Sequence, residues 1–70
     1  GKKVKLEDVK TDDLMFLIKK ENSHKHVGIV EKNKDINLIH ASLEKKKVIR
    51  QSLEKVFEGY DFVEARRIVE

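Results

Sequence analysis

The stretch HKHVGIVEKNKDINLIHAS, residues 24–42, decides the fold that this sequence predicts. Two short apolar runs, HVGIV (26–30) and INLIHAS (36–42), lie on either side of the charged segment EKNKD (31–35). Runs of this kind separated by a polar loop of about five residues indicate a β-hairpin. One histidine opens the first run and another closes the second, so the two side chains are candidates for acting together.

The spacing of His26 and His40 predicts that they share one face of the hairpin. An even number of positions separates them, and side chains along a strand alternate between the two faces. A hairpin centred on Asn33 places Gly28 opposite Leu38 and His26 opposite His40. The two Cβ atoms would then lie roughly 4.5–5.5 Å apart. A slip of one residue would put the rings on opposite faces.

Three further segments are candidate strands. LMFLIKK (14–20) is a continuous apolar run that fits a buried strand. KKVIR (46–50) is either a strand or the approach to a helix. YDFVEARRIVE (60–70) predicts a last strand with Val63, Ala65 and Val69 on one face.

One short helix is predicted at SLEKVFEG (52–59), between the last two candidate strands. Ser52 is its expected N-cap, and Gly59 its expected left-handed C-terminal residue. Leu53, Val56 and Phe57 form an apolar stripe at helical spacing. The whole pattern predicts an α+β fold, a small curled antiparallel β-sheet or barrel of about five strands with one short helix.

The composition describes one small globular domain with a thin core. The chain has 70 residues, of which 39% are hydrophobic and 41% charged, and it has no cysteine. No run approaches the length of a membrane span, and the first ten residues lack the apolar region of a signal peptide. The net charge is only +3, and the single dense basic run, Lys45 to Lys47, is not interleaved with aromatic residues. A solvated turn or edge strand is therefore favoured over a nucleic-acid surface.

Two other interpretations of the histidines are open at this stage. His26 and His40 could be ordinary half-exposed residues at the ends of strands. With His24, two positions before His26, three imidazoles could also bind zinc. No carboxylate lies at a ligand-like spacing, so we predict neither a metal nor a cofactor.

Four motifs follow one another along the chain: DLMF (13–16), HVGI (26–29), IHAS (39–42) and FVEARR (62–67). In this order they resemble the C-terminal half of the NlpC-type cell-wall peptidases, papain-like cysteine hydrolases of bacteria. The family typically carries Gly-Asp-Leu-apolar-Phe, then His-Val-Gly-Ile, Ile-His-Ala-Ser and a closing Val-Gly-Ala-Arg-Arg strand. This sequence departs from the pattern at Asp12, which stands where the family has glycine, and in a longer hairpin loop.

The resemblance implies a role for each histidine. His26 matches the family's catalytic base, and His40 matches the polar residue that orients the base. The family's nucleophile is a cysteine in an Asp-Cys-Ser-Gly segment, and no cysteine is present here. Residues 1–70 are therefore expected to be a partial NlpC-type domain without its N-terminal, cysteine-bearing helical half, and to be inactive alone.

Further expectations follow from the same resemblance. The substrate would be a peptidoglycan stem peptide, cut between D-γ-glutamate and a diamino acid, at the bacterial cell envelope or outside the cell. An apolar sheet face that the helical half normally covers would favour a homodimer or a bound partner fragment. The alternative function is a non-catalytic small β-barrel module that binds a peptide, a glycan or a partner chain.

Overall fold

The predicted hairpin is present at the centre of an antiparallel sheet. The computed structural model describes residues 1–42 and 45–68. In these residues the sheet has six strands in the order β1-β6-β2-β3-β4-β5, and it is not closed into a barrel. The α+β prediction of a small antiparallel sheet with one short helix is confirmed. The elements are β1 Lys2–Val4, a 3₁₀ turn Leu6–Asp8, β2 Leu14–Lys19, β3 Lys25–Lys32, β4 Ile36–Ser42, β5 Lys47–Ser52, α1 Leu53–Gly59 and β6 Tyr60–Arg67.

The register of the hairpin differs from the predicted one by two residues. Gly28, not His26, lies opposite His40, so the prediction of a turn centred on Asn33 is wrong. The loop closes through the Asn33 N–H, which donates to the Asp35 carbonyl at 3.0 Å, so that Lys32 pairs with Ile36. On the other edge of β3, the Lys32 N–H donates to Thr11 Oγ1 at 2.9 Å and the Thr11 hydroxyl donates back to the Lys32 carbonyl. These bonds hold β3 extended through Lys32. A shift of two residues leaves every side chain on its predicted face.

The core lies on the inner face of the sheet, where α1 packs against it. Val56 is the buried residue of α1, and Leu53 and Phe57 pack beside it, so the predicted stripe is confirmed. Within the described ranges, no helix is long and apolar enough to cross a bilayer. The buried hydrophobic residues are Val9, Met15, Leu17, Val30, Leu38, Val56 and Ala65.

Gly28 is required by the close approach of Leu38. A Cβ atom added at Gly28 would lie 2.5 Å from Leu38 Cγ, and Leu38 is fully buried. A larger residue at this position would force Leu38 out of the core. The glycine therefore lets the hairpin carry a full-sized core side chain next to the histidines.

The predicted N-cap of α1 is present, but the conformation predicted for its C-terminal end is not. Ser52 Oγ accepts a hydrogen bond from the Lys55 N–H at 3.3 Å, which confirms the N-cap. Gly59 does not have a positive φ angle, so the expected left-handed end is wrong. The helix runs directly into β6 because the Gly59 carbonyl accepts from the Lys20 N–H at 3.0 Å.

A β-bulge changes the faces of β6. Phe16 pairs with Glu64 but Leu17 pairs with Phe62, so Val63 is an extra residue. The bulge reverses the alternation. Phe62 packs against the core while Val63 is exposed, and the prediction that Val63 shares a face with buried Ala65 is wrong. Val69, predicted on the same face, lies outside the described residues.

The basic run is a solvated segment, as predicted. Lys45 and Lys46 lie in the turn before β5, and Lys47 is the first residue of that strand. All three side chains are exposed. In the described part of the chain, β5 is an edge of the sheet, where exposed lysines disfavour pairing with other strands.

Candidate active site

His26 and His40 lie on one face of the sheet and are directly hydrogen-bonded. His26 Nε2 is 2.8 Å from His40 Nδ1. The ring centroids are 5.0 Å apart and the ring planes are perpendicular. The predicted same-face pair is confirmed, although the two residues are diagonal neighbours across β3 and β4 instead of direct partners. The diagonal offset allows an edge of each ring to meet the other, which a directly opposed pair would hinder.

Gln51 completes a row of three polar side chains. Its Oε1 atom is 3.1 Å from His40 Nε2, so His40 contacts a polar partner through each ring nitrogen. Gln51 lies on β5, and its backbone is opposite that of Leu38 on β4. Gln51 was not among the candidate site residues predicted from the sequence. Its position depends on the register of β4 with β5, for which a single sequence contains no strong signal.

Tyr60 fixes the plane of the His26 ring. The two rings are stacked, with centroids 4.8 Å apart and planes inclined by 25°. The ring of Tyr60 also meets His40 edge-on, with centroids 6.2 Å apart. Tyr60 is the first residue of β6 and was predicted only as part of a strand. The contacts with Tyr60 and His40 restrict rotation of the His26 side chain. The ring is therefore held in one orientation before a reaction partner binds.

Burial favours the neutral form of His26. Desolvation lowers the pKa of His26 below its ordinary value of 6.5, and electrostatic interactions with His40 and Lys19 lower it further. His40 is buried, with 5% of its surface exposed, so the pair lies at the margin of the core. A neutral imidazole can accept a proton, which is the first requirement for a general base.

This pKa shift predicts a loss of stability in mild acid. The folded state binds a proton on His26 less readily than the unfolded state does, so the stability due to neutral His26 is complete above pH 6.5 and is lost as the pH falls below it. We expect the free energy of unfolding, measured by urea titration between pH 8 and pH 5, to fall less steeply in His26→Gln than in the parent chain. His24→Gln is the matched control, because His24 is exposed in the loop before β3. An unchanged slope in His26→Gln would contradict the assignment.

The histidine pair lies between two clefts. The first has a volume of about 370 Å³ and is lined by His40, Gln51 and Tyr60 together with lysines. The second, of about 350 Å³, is lined by His26 and by mainly apolar side chains that include Phe16 and Ile18. Phe16 and Ile18 lie on the face of the sheet opposite the one on which the rings of His26 and His40 meet, so the first cleft is the one that shares a face with the pair.

The three histidines do not form a metal site. The His24 side chain is exposed, and the backbone N–H of His24 donates to Asn22 Oδ1 at 3.1 Å. Over residues 1–42 and 45–68, no three His, Cys, Asp or Glu side chains come together in a way that could hold a metal ion. The zinc interpretation therefore has no geometric support in this part of the chain.

A second polar cluster joins the start of β2 to the end of β6. Asp13 is 1% exposed and accepts hydrogen bonds from both Nε and Nη2 of Arg67 at 2.9 Å. The Lys10 N–H also donates to this carboxylate, at 2.8 Å. The hydrogen bonds from Arg67 are the main reason that the pKa of Asp13 is lowered below its ordinary value of 3.8.

No family model, curated protein or solved structure matches this chain. The resemblance to the NlpC-type peptidases therefore rests on the four motifs in the sequence.

Proposed function

We propose that this chain is the sheet half of an NlpC-type cysteine peptidase that hydrolyses peptidoglycan stem peptides. The observation that carries the proposal is the 2.8 Å contact between His26 Nε2 and His40 Nδ1. It occupies one nitrogen of His26, while Nδ1 of the same ring makes no hydrogen bond to any described residue. A free imidazole nitrogen backed by a second polar group is the arrangement that activates a thiol.

The positions of the four motifs support the proposal. Asp13 of the first motif is paired with Arg67 of the fourth, so these segments hold one another in place. Asp12, at the position where the family has glycine, has a φ angle of 77°. Glycine adopts this left-handed conformation without strain, and aspartate is among the few other residues that tolerate it. The departure at Asp12 is therefore compatible with a turn of the same shape.

The proposed mechanism assigns His26 to proton transfer in both directions. It accepts the proton of a cysteine thiol, and the resulting thiolate adds to the carbonyl carbon of the γ-D-glutamyl bond. The imidazolium then gives its proton to the leaving amine of the diamino acid. Water, activated by the same ring, hydrolyses the thioester and regenerates the thiol. His40 keeps the ring of His26 oriented throughout.

The thiol must come from outside these 70 residues, which contain no cysteine. The outer face of β3, opposite the face that carries the His26 ring, exposes a separate apolar patch. Val27 and Ile29 are 46% and 44% exposed there, and Val27 lies opposite Phe16 of β2. Contiguous apolar surface of this kind favours association. This patch faces away from His26, so the proposed occupant of the patch is a second copy of this chain. The proposed cysteine-bearing helical half must instead reach the opposite face, where His26 meets His40, and the proposed setting is the bacterial cell envelope.

Reconstitution tests the function. A cysteine-bearing helical half of an NlpC-type peptidase is fused in front of Gly1, and hydrolysis of a γ-D-glutamyl-diamino acid peptide is followed by chromatography. We expect no hydrolysis by the 70-residue chain, because it has no nucleophile, and hydrolysis by the fusion. The fusion with its cysteine replaced by alanine is the control.

Alkylation of the thiol provides a second readout that does not depend on the substrate. In the fusion, the cysteine should react with iodoacetamide at a lower pH than a free cysteine does, because a nearby imidazole favours the thiolate. Hydrolysis by the cysteine-free chain would overturn the mechanism. A fusion whose thiol titrates like free cysteine and which leaves the peptide intact would favour the non-catalytic binding module.

A further inference from the structure

We propose that Gln51 sets the tautomers of both histidines and so leaves the lone pair of His26 on Nδ1. Gln51 is thus a positioning residue that acts on His26 through His40. Its catalytic meaning rests on the proposed function, but the tautomers are a property of this chain alone and can be measured on it.

Gln51 is the hydrogen-bond acceptor at the end of the row. The Gln51 amide is oriented with its Oε1 atom 3.1 Å from His40 Nε2, and a carbonyl oxygen can only accept, so in this orientation His40 Nε2 carries the hydrogen. A neutral imidazole has one N–H and one acceptor nitrogen, so His40 Nδ1 is the acceptor. The group that faces it at 2.8 Å, His26 Nε2, must then donate.

The consequence falls on the other nitrogen of His26. With its hydrogen on Nε2, neutral His26 carries a bare lone pair on Nδ1, the nitrogen that has no partner among the described residues. The reversed arrangement has hydrogens on Nδ1 of both rings. It would leave the lone pair of His40 Nε2 facing the oxygen of Gln51, which is repulsive, and would block the proposed base with a proton.

The surroundings of His26 and His40 restrict which tautomers the two rings can adopt. His40 is 5% exposed and borders the cleft that Gln51 also lines, so the acceptor that competes with Gln51 is a water molecule in that cleft. Tyr60, stacked on His26, restricts the ring flip that would exchange its two nitrogens. The choice of tautomer therefore depends on the one acceptor that β5 supplies.

Nitrogen-15 NMR of the histidine rings measures the tautomers directly. Long-range ¹H–¹⁵N correlation spectra of the ¹⁵N-labelled chain are recorded at a pH high enough for both rings to be neutral. We expect hydrogens on Nε2 of His26 and of His40. In Gln51→Met, which has a similar length but no oxygen, the ratio of this state to the reversed one should fall about fivefold, the factor that one neutral hydrogen bond contributes.

Two further variants separate positioning from general damage. Arg50→Met, one residue earlier on β5, puts the same new side chain on the opposite face and removes only an exposed ion pair with Glu31, so the tautomers should not change. Gln51→Glu retains an oxygen acceptor and should restore the parent tautomer ratio.

Each outcome decides the proposal. Hydrogen on Nδ1 of His40 in the parent chain, or a tautomer ratio that is the same in Gln51→Met as in the parent, would overturn it. If the tautomers respond as expected but the reconstituted fusion is inactive, the role of Gln51 stands and the peptidase function fails. A shift of equal size in Arg50→Met would also overturn the inference, since the effect would then belong to the strand and not to Gln51.

Discussion

Replacing His26 by alanine in the reconstituted peptidase is expected to lower kcat/KM by about a thousandfold, within the range that a positioned general base contributes. Without the ring, no group near the thiol accepts its proton, and no acid returns a proton to the leaving amine. The measurement is the initial rate of hydrolysis of the γ-D-glutamyl peptide. His24→Ala is the control, because His24 is exposed outside the histidine pair. Full activity in His26→Ala would remove His26 from the mechanism.

The His40 variants distinguish orientation from proton transfer. His40→Ala should lower the rate less than His26→Ala does, because it removes the partner of His26 Nε2 and leaves the base itself in place. His40→Asn and His40→Gln should retain more activity than His40→Ala, since an amide can still hydrogen-bond the ring. Because His40 is buried, each variant is first checked for cooperative thermal unfolding. An alanine variant as active as the asparagine variant would contradict an orienting role.

The parts of the fold that follow from local pattern could be predicted from the sequence. The strand 36–42, the N-cap Ser52 and the shared face of the two histidines depend on alternation and capping within a few residues. The register of the hairpin could not, because the segment EKNKD can close in more than one turn, and the sequence does not fix that the Asn33 N–H donates to the Asp35 carbonyl. The predicted faces of the side chains are nevertheless right, because a shift of two residues leaves each side chain on the same face of the sheet.

The candidate site likewise contains residues that local pattern predicts and residues that it does not. The histidines lie on strands whose apolar pattern is strong, so their common face was predictable. Gln51 and Tyr60 enter the site through the pairing of β5 with β4 and through the turn from α1 into β6. In β6, the bulge at Val63 breaks the alternation on which any prediction from the sequence relies. Polar residues positioned by long-range register are therefore the ones that pattern reasoning misses.

The largest effect on stability is expected for Asp13→Asn. Asp13 is buried and ionised, and it accepts two hydrogen bonds from Arg67 and one from the Lys10 N–H. An asparagine of the same shape turns an amide N–H₂ towards one of these donors and removes the charge that the guanidinium faces. We expect a loss of about 2 kcal/mol, below the full cost of breaking a buried ion pair because Arg67 is partly exposed and can be solvated. That is a large share of the roughly 3–10 kcal/mol typical of a chain of this size.

Asp12→Asn provides the matched control for this prediction. The same chemical change is made one residue earlier, where the side chain is exposed and asparagine tolerates the left-handed backbone. Its free energy of unfolding in urea should stay within about 0.5 kcal/mol of the parent value. Equal losses in both variants would mean that the turn, and not the ion pair, is sensitive to charge.

Acid titration provides a second, independent test of the Asp13 prediction. The pKa of Asp13 is lowered in the folded state, so the unfolded chain takes up a proton first as the pH falls. The stability due to the Asp13–Arg67 pair is therefore complete above the unfolded pKa of 3.8 and is lost as the pH falls below it. Asp13→Asn has no such group to titrate, and its free energy of unfolding should fall less steeply below pH 4 than that of the parent chain or of Asp12→Asn. A slope in Asp13→Asn as steep as that of the parent would show that the pair does not stabilise the fold in the way its geometry indicates.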